Sequence, residues 1–205
     1  MNTILLYLTD TGHQEDLDKA VKMSIILDNK PPIQIRGEVE DPTALDDQVE
    51  NGLNDQILTE YEAFYIYDHI ASYLSRPEVG LSGFAKFFRE SANEELEHAR
   101  KFSEFVNKRN SKVVLKNILL ASSGVPMDFK NIHEVIDTAI RKELQVTAHI
   151  NELHKLASQM NDAITQDFLD DFLQEQVNSV SKLREMRARL HLDNSAVYLM
   201  DKEFR

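Results

Sequence analysis

Glu95 and His98 stand three residues apart in a run without helix breakers, so on a helix they present a carboxylate and an imidazole to one point. Glu60, Glu143 and Gln176 lie in three other segments, each interrupting a heptad-spaced apolar stripe near its middle. An E-x-x-H pair alone is common on helix surfaces. Its weight here comes from the company of three further oxygen-bearing side chains at equivalent heights. An unpaired carboxylate in an apolar seam costs several kcal/mol, so each needs a cation or a metal ion. The bland reading is a set of buried ion pairs, yet Arg187 is the only basic residue on the stripes, about three helical turns from Gln176. Oxygen-rich ligation with a single imidazole suits iron or manganese better than structural zinc. A bridging carboxylate such as Glu95 can hold two such ions close together. Tyr67, two turns beyond Glu60, is either a core aromatic or a partner that hydrogen-bonds a ligand or donates an electron.

These residues must be positioned by helices. Steps of four and three give Leu53, Ile57, Glu60, Phe64, Tyr67, Ala71, Leu74 in the first segment. The second gives Leu81, Phe84, Phe88, Ser91, Glu95, His98, Phe102, Phe105, and the third Ile132, Ile136, Ala139, Glu143, Val146, Ile150, Leu153, Ala157. The fourth, looser, runs Leu169, Leu173, Gln176, Val180, Leu183, Arg187, Leu190. That spacing is the inward seam of a bundle. Asp41-Pro42 predicts a helix start, with Thr43 as a competing cap, and Arg76-Pro77 a break near Ser75. Further helices are expected over 78–109, 130–159 and 162–190, with Asp193-Asn194-Ser195 capping a short last one. Two tight hairpins and one long second-to-third crossover predict an all-α four-helix bundle. Residues 1–41 differ: β-prone runs at Ile4–Leu8 and Ile33–Ile35 flank a short amphipathic stretch, which reads as an appended strand–helix–strand unit.

Composition bounds the function. The chain has 205 residues and a net charge of −12, which disfavours nucleic acid and anionic membrane as partners. It has no cysteine, so disulfides, thiol chemistry and iron–sulfur clusters are excluded. The start carries only a short apolar run and no basic region, and no stretch is long enough to span a bilayer; a cytoplasmic protein is expected.

Several phrases, in order, carry a resemblance. Ala92-Asn93-Glu94-Glu95-Leu96-Glu97-His98-Ala99 resembles the second helix of ferritins, and Leu53-Asn54-Asp55-Gln56-Ile57 with Glu60 and Tyr65-Ile66-Tyr67 the first. Asn151-Glu152-Leu153-His154-Lys155-Leu156-Ala157 is similar to the third helix, and Phe172-Leu173-Gln174-Glu175-Gln176-Val177 to the fourth. Tyr198-Leu199-Met200-Asp201-Lys202-Glu203 resembles the short fifth helix. The resemblance implies a ferritin-like di-iron domain over 42–205, with a long crossover and a short fifth helix, preceded by an extension over 1–41 with no counterpart.

It also implies a ferroxidase centre for two iron ions per subunit. Glu60, Glu95 and His98 would hold the first iron, Glu95 and Glu143 the second with Gln176 beside it, and Tyr67 would lie near the centre. Glu94, Glu97 and Glu175 would pass iron toward a cavity. The implied activity is oxidation of Fe(II) by O2 or H2O2 and storage of ferric mineral in a hollow homo-oligomeric shell of twenty-four subunits. The alternative is a di-iron or di-manganese oxidase or peroxidase on the same bundle, without storage. Leu96 stands where haem-containing relatives place a methionine, so no haem is expected. Asn178 and Ser179 replace the carboxylates of a third iron site, and Asp167, Asp170 and Asp171 align only ambiguously with channel acids.

Overall fold

The computed structural model describes residues 41, 43–118, 124–193 and 195–205. The strand–helix–strand reading of 1–41 lies outside the described residues. Thr43–Arg205 forms one unit. Its helices are α1 (Asp47–Leu74), α2 (Ser82–Lys108), α3 (Ile132–Gln159), α4 (Ala163–Leu190) and the short α5 (Ala196–Phe204). Among the described residues there is no strand, and no helix is long and apolar enough to cross a membrane.

The helices follow the apolar seam, and their ends follow local hydrogen bonding. α1 begins five residues later than Asp41-Pro42 predicts. Asp46, in an extended conformation, caps it by accepting from the Gln48 N–H at 2.8 Å. Thr43 and Ala44 are held outside the helix because their carbonyls accept from the Arg109 guanidinium. Asn131 caps α3 through the Glu134 N–H at 3.0 Å, while the Glu134 carboxylate takes the Lys130 N–H at 2.7 Å, closing a reciprocal box. Asp162 caps α4 through the Thr165 N–H at 2.9 Å.

α1 packs on α2 and on α3, and α3 on α4; α5 seats against α2 and touches α4. The two described parts of the second-to-third link are each bonded to α1 or to the residues just after it. Asn54 binds the Lys112 carbonyl at 3.0 Å and the Val114 N–H at 2.7 Å near one end of α1. Tyr73 donates to the Phe129 carbonyl at 2.6 Å near the other, where Arg76 also pairs with Asp128. Two apolar clusters fill the bundle. One gathers Phe88, Ala92, Ala139 and Leu183, the other Ile57, Phe102, Val146 and Phe172. Every long helix contributes to both; on α2, α3 and α4 the candidate ligands lie between the two along the helix, and on α1 Glu60 lies near the end of the second, between Ile57 and Ala63.

Two details of the fourth stripe differ from expectation. Met186, not Arg187, is buried, and Arg187 turns outward to pair with Asp137 at 2.7 Å. A straight helix advances 3.6 residues per turn, so a strict four-and-three count drifts off the inward face by its end. Lys142, absent from every stripe, is buried and pairs with Glu62 at 3.3 Å.

Candidate metal centre

Glu60, Glu95, Glu143, Gln176 and Tyr67 are each no more than 5% exposed, one on each of α1 to α4 with Tyr67 joining Glu60 on α1. Glu60, Glu95 and His98 form one group, with a ligand atom from each within 4.8 Å of the others. Glu143, Gln176 and Tyr67 form the adjoining group. Tyr67 Oη donates to Glu143 Oε1, and Gln176 Nε2 donates to Glu143 Oε2 at 2.8 Å. Glu95, Glu143 and Tyr67 line one narrow cavity, whose mouth between α2 and α4 carries Ser91, Glu94, Ser179 and Lys182.

The electrostatics are those of carboxylates short of cations. Burial, then the charge of Glu95, raises the Glu60 pKa well above its usual value. Burial and the neighbouring Glu143 push Glu95 up to about 8. Burial also raises Glu143, although the Tyr67 and Gln176 hydrogen bonds and the charges of His98 and Lys142 work against it. Tyr67 is raised too, by burial and by Glu143. Glu60 Oε1 accepts from Gln56 Nε2 at 2.6 Å, while Glu60 Oε2 is buried and takes no donor. Glu95 is its charged neighbour. Two acceptor oxygens can be joined there only by a shared proton or a cation. Such a donor set, hard oxygen with one imidazole, fits iron.

His98 is held by carboxylates on both ring nitrogens. Nδ1 lies 3.4 Å from Glu95 Oε2, and Nε2 lies 2.9 Å from Glu175 Oε2. A proton on Nε2 bonded to Glu175 leaves the Nδ1 lone pair facing Glu95, the arrangement that orients a ligating histidine. Glu94, Glu97 and Glu175 are exposed and ring a surface depression that includes His98, Lys101, Asn178 and Ser179. All three residues read from the sequence as transfer carboxylates thus flank the same imidazole. His149 belongs to none of the apolar stripes or motifs of the sequence, yet its Nδ1 lies 2.6 Å from Oε1 of Gln56, the residue bonded to Glu60. The available signal was a histidine on α3 eight residues before the end of a Glu143-containing stripe, too weak to single it out.

The ferritin-like domain family matches residues 50–192 of the chain. The chain belongs to the ferritin family. It is 37% identical over 150 residues to the chloroplastic ferritin of Malus baccata var. xiaojinensis, an alignment covering 70% of this chain and 58% of that one. It is 36% identical over 157 residues to the soma ferritin of Lymnaea stagnalis, covering 75% of this chain and 88% of that one. It is 32% identical over 157 residues to a ferritin of Pacifastacus leniusculus, covering 75% and 85%. The chain spans 58% of the length of the first of these relatives. The cytoplasmic expectation is overturned by the same comparison, since chloroplastic ferritins are among the most similar relatives. Lack of a membrane-spanning helix does not assign a compartment.

Proposed function

We propose that this ferritin is an iron-storage protein that oxidises Fe(II) at the intrasubunit centre formed by Glu60, Glu95, His98, Glu143 and Gln176. The observation that carries the reading is the grouping of Glu60, Glu95 and His98 around one point, with the buried Oε2 of Glu60 left without a hydrogen-bond partner. Iron is the substrate. Glu60, Glu95 and His98 take one Fe(II); Glu95 and Glu143 take a second, with Gln176 holding the Glu143 carboxylate toward it. Each carboxyl gives up its proton as the metal arrives, because the ion replaces the proton as the charge partner. Two Fe(II) ions yield one electron each to O2, which takes up two protons and leaves as H2O2. Anionic oxygen ligands favour Fe(III) over Fe(II), so the product state is stabilised by the same residues.

Tyr67 fixes Glu143 through its hydroxyl and, placed at the centre, serves as an electron source. Glu94, Glu97 and Glu175, being exposed around His98, serve as carriers between the centre and a storage cavity. Storage belongs to a homo-oligomeric shell, which we take to have twenty-four subunits. The domain 42–205 carries all of this, and the extension 1–41 is appended to it.

The test is a Glu95→Ala, His98→Ala double variant followed by stopped-flow absorbance after Fe(II) addition in air. Loss of the fast ferric phase, with helical circular dichroism retained, is the expected result. Wild-type kinetics in a folded double variant would sink the assignment.

A further inference from the structure

Gln56 is completely buried on α1, one turn before Glu60 and between the apolar residues Leu53 and Ile57. A primary amide in such a place costs several kcal/mol unless both its ends are hydrogen-bonded. Both are. Nε2 donates to Glu60 Oε1 at 2.6 Å, and Oε1 faces His149 Nδ1, also at 2.6 Å. His149 comes from α3 and is half-buried, so the chain of bonds crosses the α1–α3 interface and ends on a candidate ligand.

The chemistry orders the chain. A metal-bound Glu60 is ionised and can only accept, so the Gln56 NH2 must face it. The Gln56 carbonyl then faces His149, whose Nδ1 must carry the proton. Burial holds the His149 pKa below its usual value, which favours the neutral ring with a single N–H to place. With Oε1 of Glu60 engaged by Gln56, the buried Oε2 is the oxygen left without a hydrogen-bond partner, on a residue that groups with Glu95 and His98.

We propose that His149 and Gln56 are positioning residues that hold Glu60 as a one-oxygen ligand, His149 setting the amide and the amide setting the carboxylate. This rests on the metal reading of the centre. The role is distinct from packing, because an apolar residue of similar volume would fill the interface equally well but leave the carboxylate free to rotate. Partners of this kind change metal affinity by about 10- to 100-fold when removed.

The test uses Co(II), which binds without turning over, titrated into the full-length metal-free protein and followed by its visible ligand-field bands. His149→Leu and Gln56→Met are each expected to weaken binding on the order of 10-fold. His149→Gln, which keeps an N–H donor, is expected to restore most of it, with the melting temperature little changed throughout. Glu60→Ala serves as the reference for a lost ligand. Wild-type affinity in His149→Leu and Gln56→Met, with Glu60→Ala impaired, would overturn the positioning role alone. Wild-type affinity in Glu60→Ala would overturn the metal reading instead. A loss that His149→Gln does not restore, accompanied by a matching fall in melting temperature, would assign these residues to packing and also overturn the proposal. Should His149→Leu fail to fold, the Gln56→Met and His149→Gln pair gives the same decision.

Discussion

Burial in the fold raises the carboxyl pKa values of Glu60, Glu95 and Glu143 above those of the unfolded chain. The Glu95 carboxyl moves from an ordinary value of 4.5 to about 8 because burial and Glu143 penalise its charge. Between those two values the folded state binds more protons than the unfolded state, so stability is highest below the window and falls as pH rises through it. Metal-free protein should therefore melt at a higher temperature near pH 5 than near pH 8, measured by calorimetry. Saturating Co(II) should abolish or reverse that slope, because the ion takes the place of the proton. A metal-free melting temperature that rises steadily across this window would contradict the protonated centre. Tyr67 makes a second prediction at this scale. Tyr67→Phe removes the donor to Glu143 Oε1 while keeping the ring packed against Phe88. Stopped-flow oxidation should slow by about 10-fold or more, the cost of roughly 1.4 kcal/mol or greater in the barrier, with two-metal stoichiometry retained. The clustering of Glu60 with Glu95 and His98, and of Glu143 with Gln176, was legible because polar side chains of these types stand out in an apolar seam. The Gln56–His149 support was not, because amides and lone histidines at helix interfaces carry no pattern of their own.

Two connections at helix ends decide how the elements stay in register. Asp201 of α5 accepts from the Gly83 N–H at 2.7 Å and the Phe84 N–H at 3.2 Å, capping α2 from another helix where Leu81 offers no side-chain cap. Gly83 is required by the close approach, since a Cβ there would overlap the Asp201 carbonyl. Asp201→Ala should cost about 1 to 2 kcal/mol in chemical denaturation, the range for a lost cap, and Gly83→Ala should undock α5 and expose its chain to protease. Arg109, 6% exposed, ties the residues before α1 to the turn before α4, bonding the Asp162 carboxylate at 3.0 and 3.1 Å and Thr165 Oγ1 at 3.1 Å. Removing a buried partner costs about 3 to 5 kcal/mol, so Arg109→Ala should fall well outside the effect of Arg187→Ala, whose ion pair is exposed. The four long helices and the crossover were readable from the 3.6-residue period and the breaker positions. The start of α1 was not, because Asp41, Thr43 and Asp46 are all competent caps, and Arg109, distant in sequence, decides among them. Lys142 escaped notice for a related reason. It faces the α1–α3 boundary beside the seam, where a heptad count does not look.

At the scale of the whole molecule, apolar side chains remain on the outside of the single subunit. Leu192 is 81% exposed, Tyr198 63% and Leu199 57%, all around α5, and Leu115 on the crossover is 70% exposed. Surfaces of this kind fit contacts between copies, and storage requires an enclosed space that one bundle lacks. Family and fold were legible from ordered motifs spread over four helices. Compartment was not: a cytoplasmic protein was expected, and chloroplastic ferritins are among the most similar relatives. Oxidation in one subunit and storage in many are read together by following iron and particle mass at once. Fe(II) is added in air to the metal-free protein, with ferric absorbance followed alongside particle mass by sedimentation. Rapid oxidation saturating near two irons per chain is expected, then slower mineral growth inside a large particle of constant outer size. Two irons bound with no further loading, in a particle of one or two subunits, would contradict storage and leave a di-metal oxidase on a ferritin bundle.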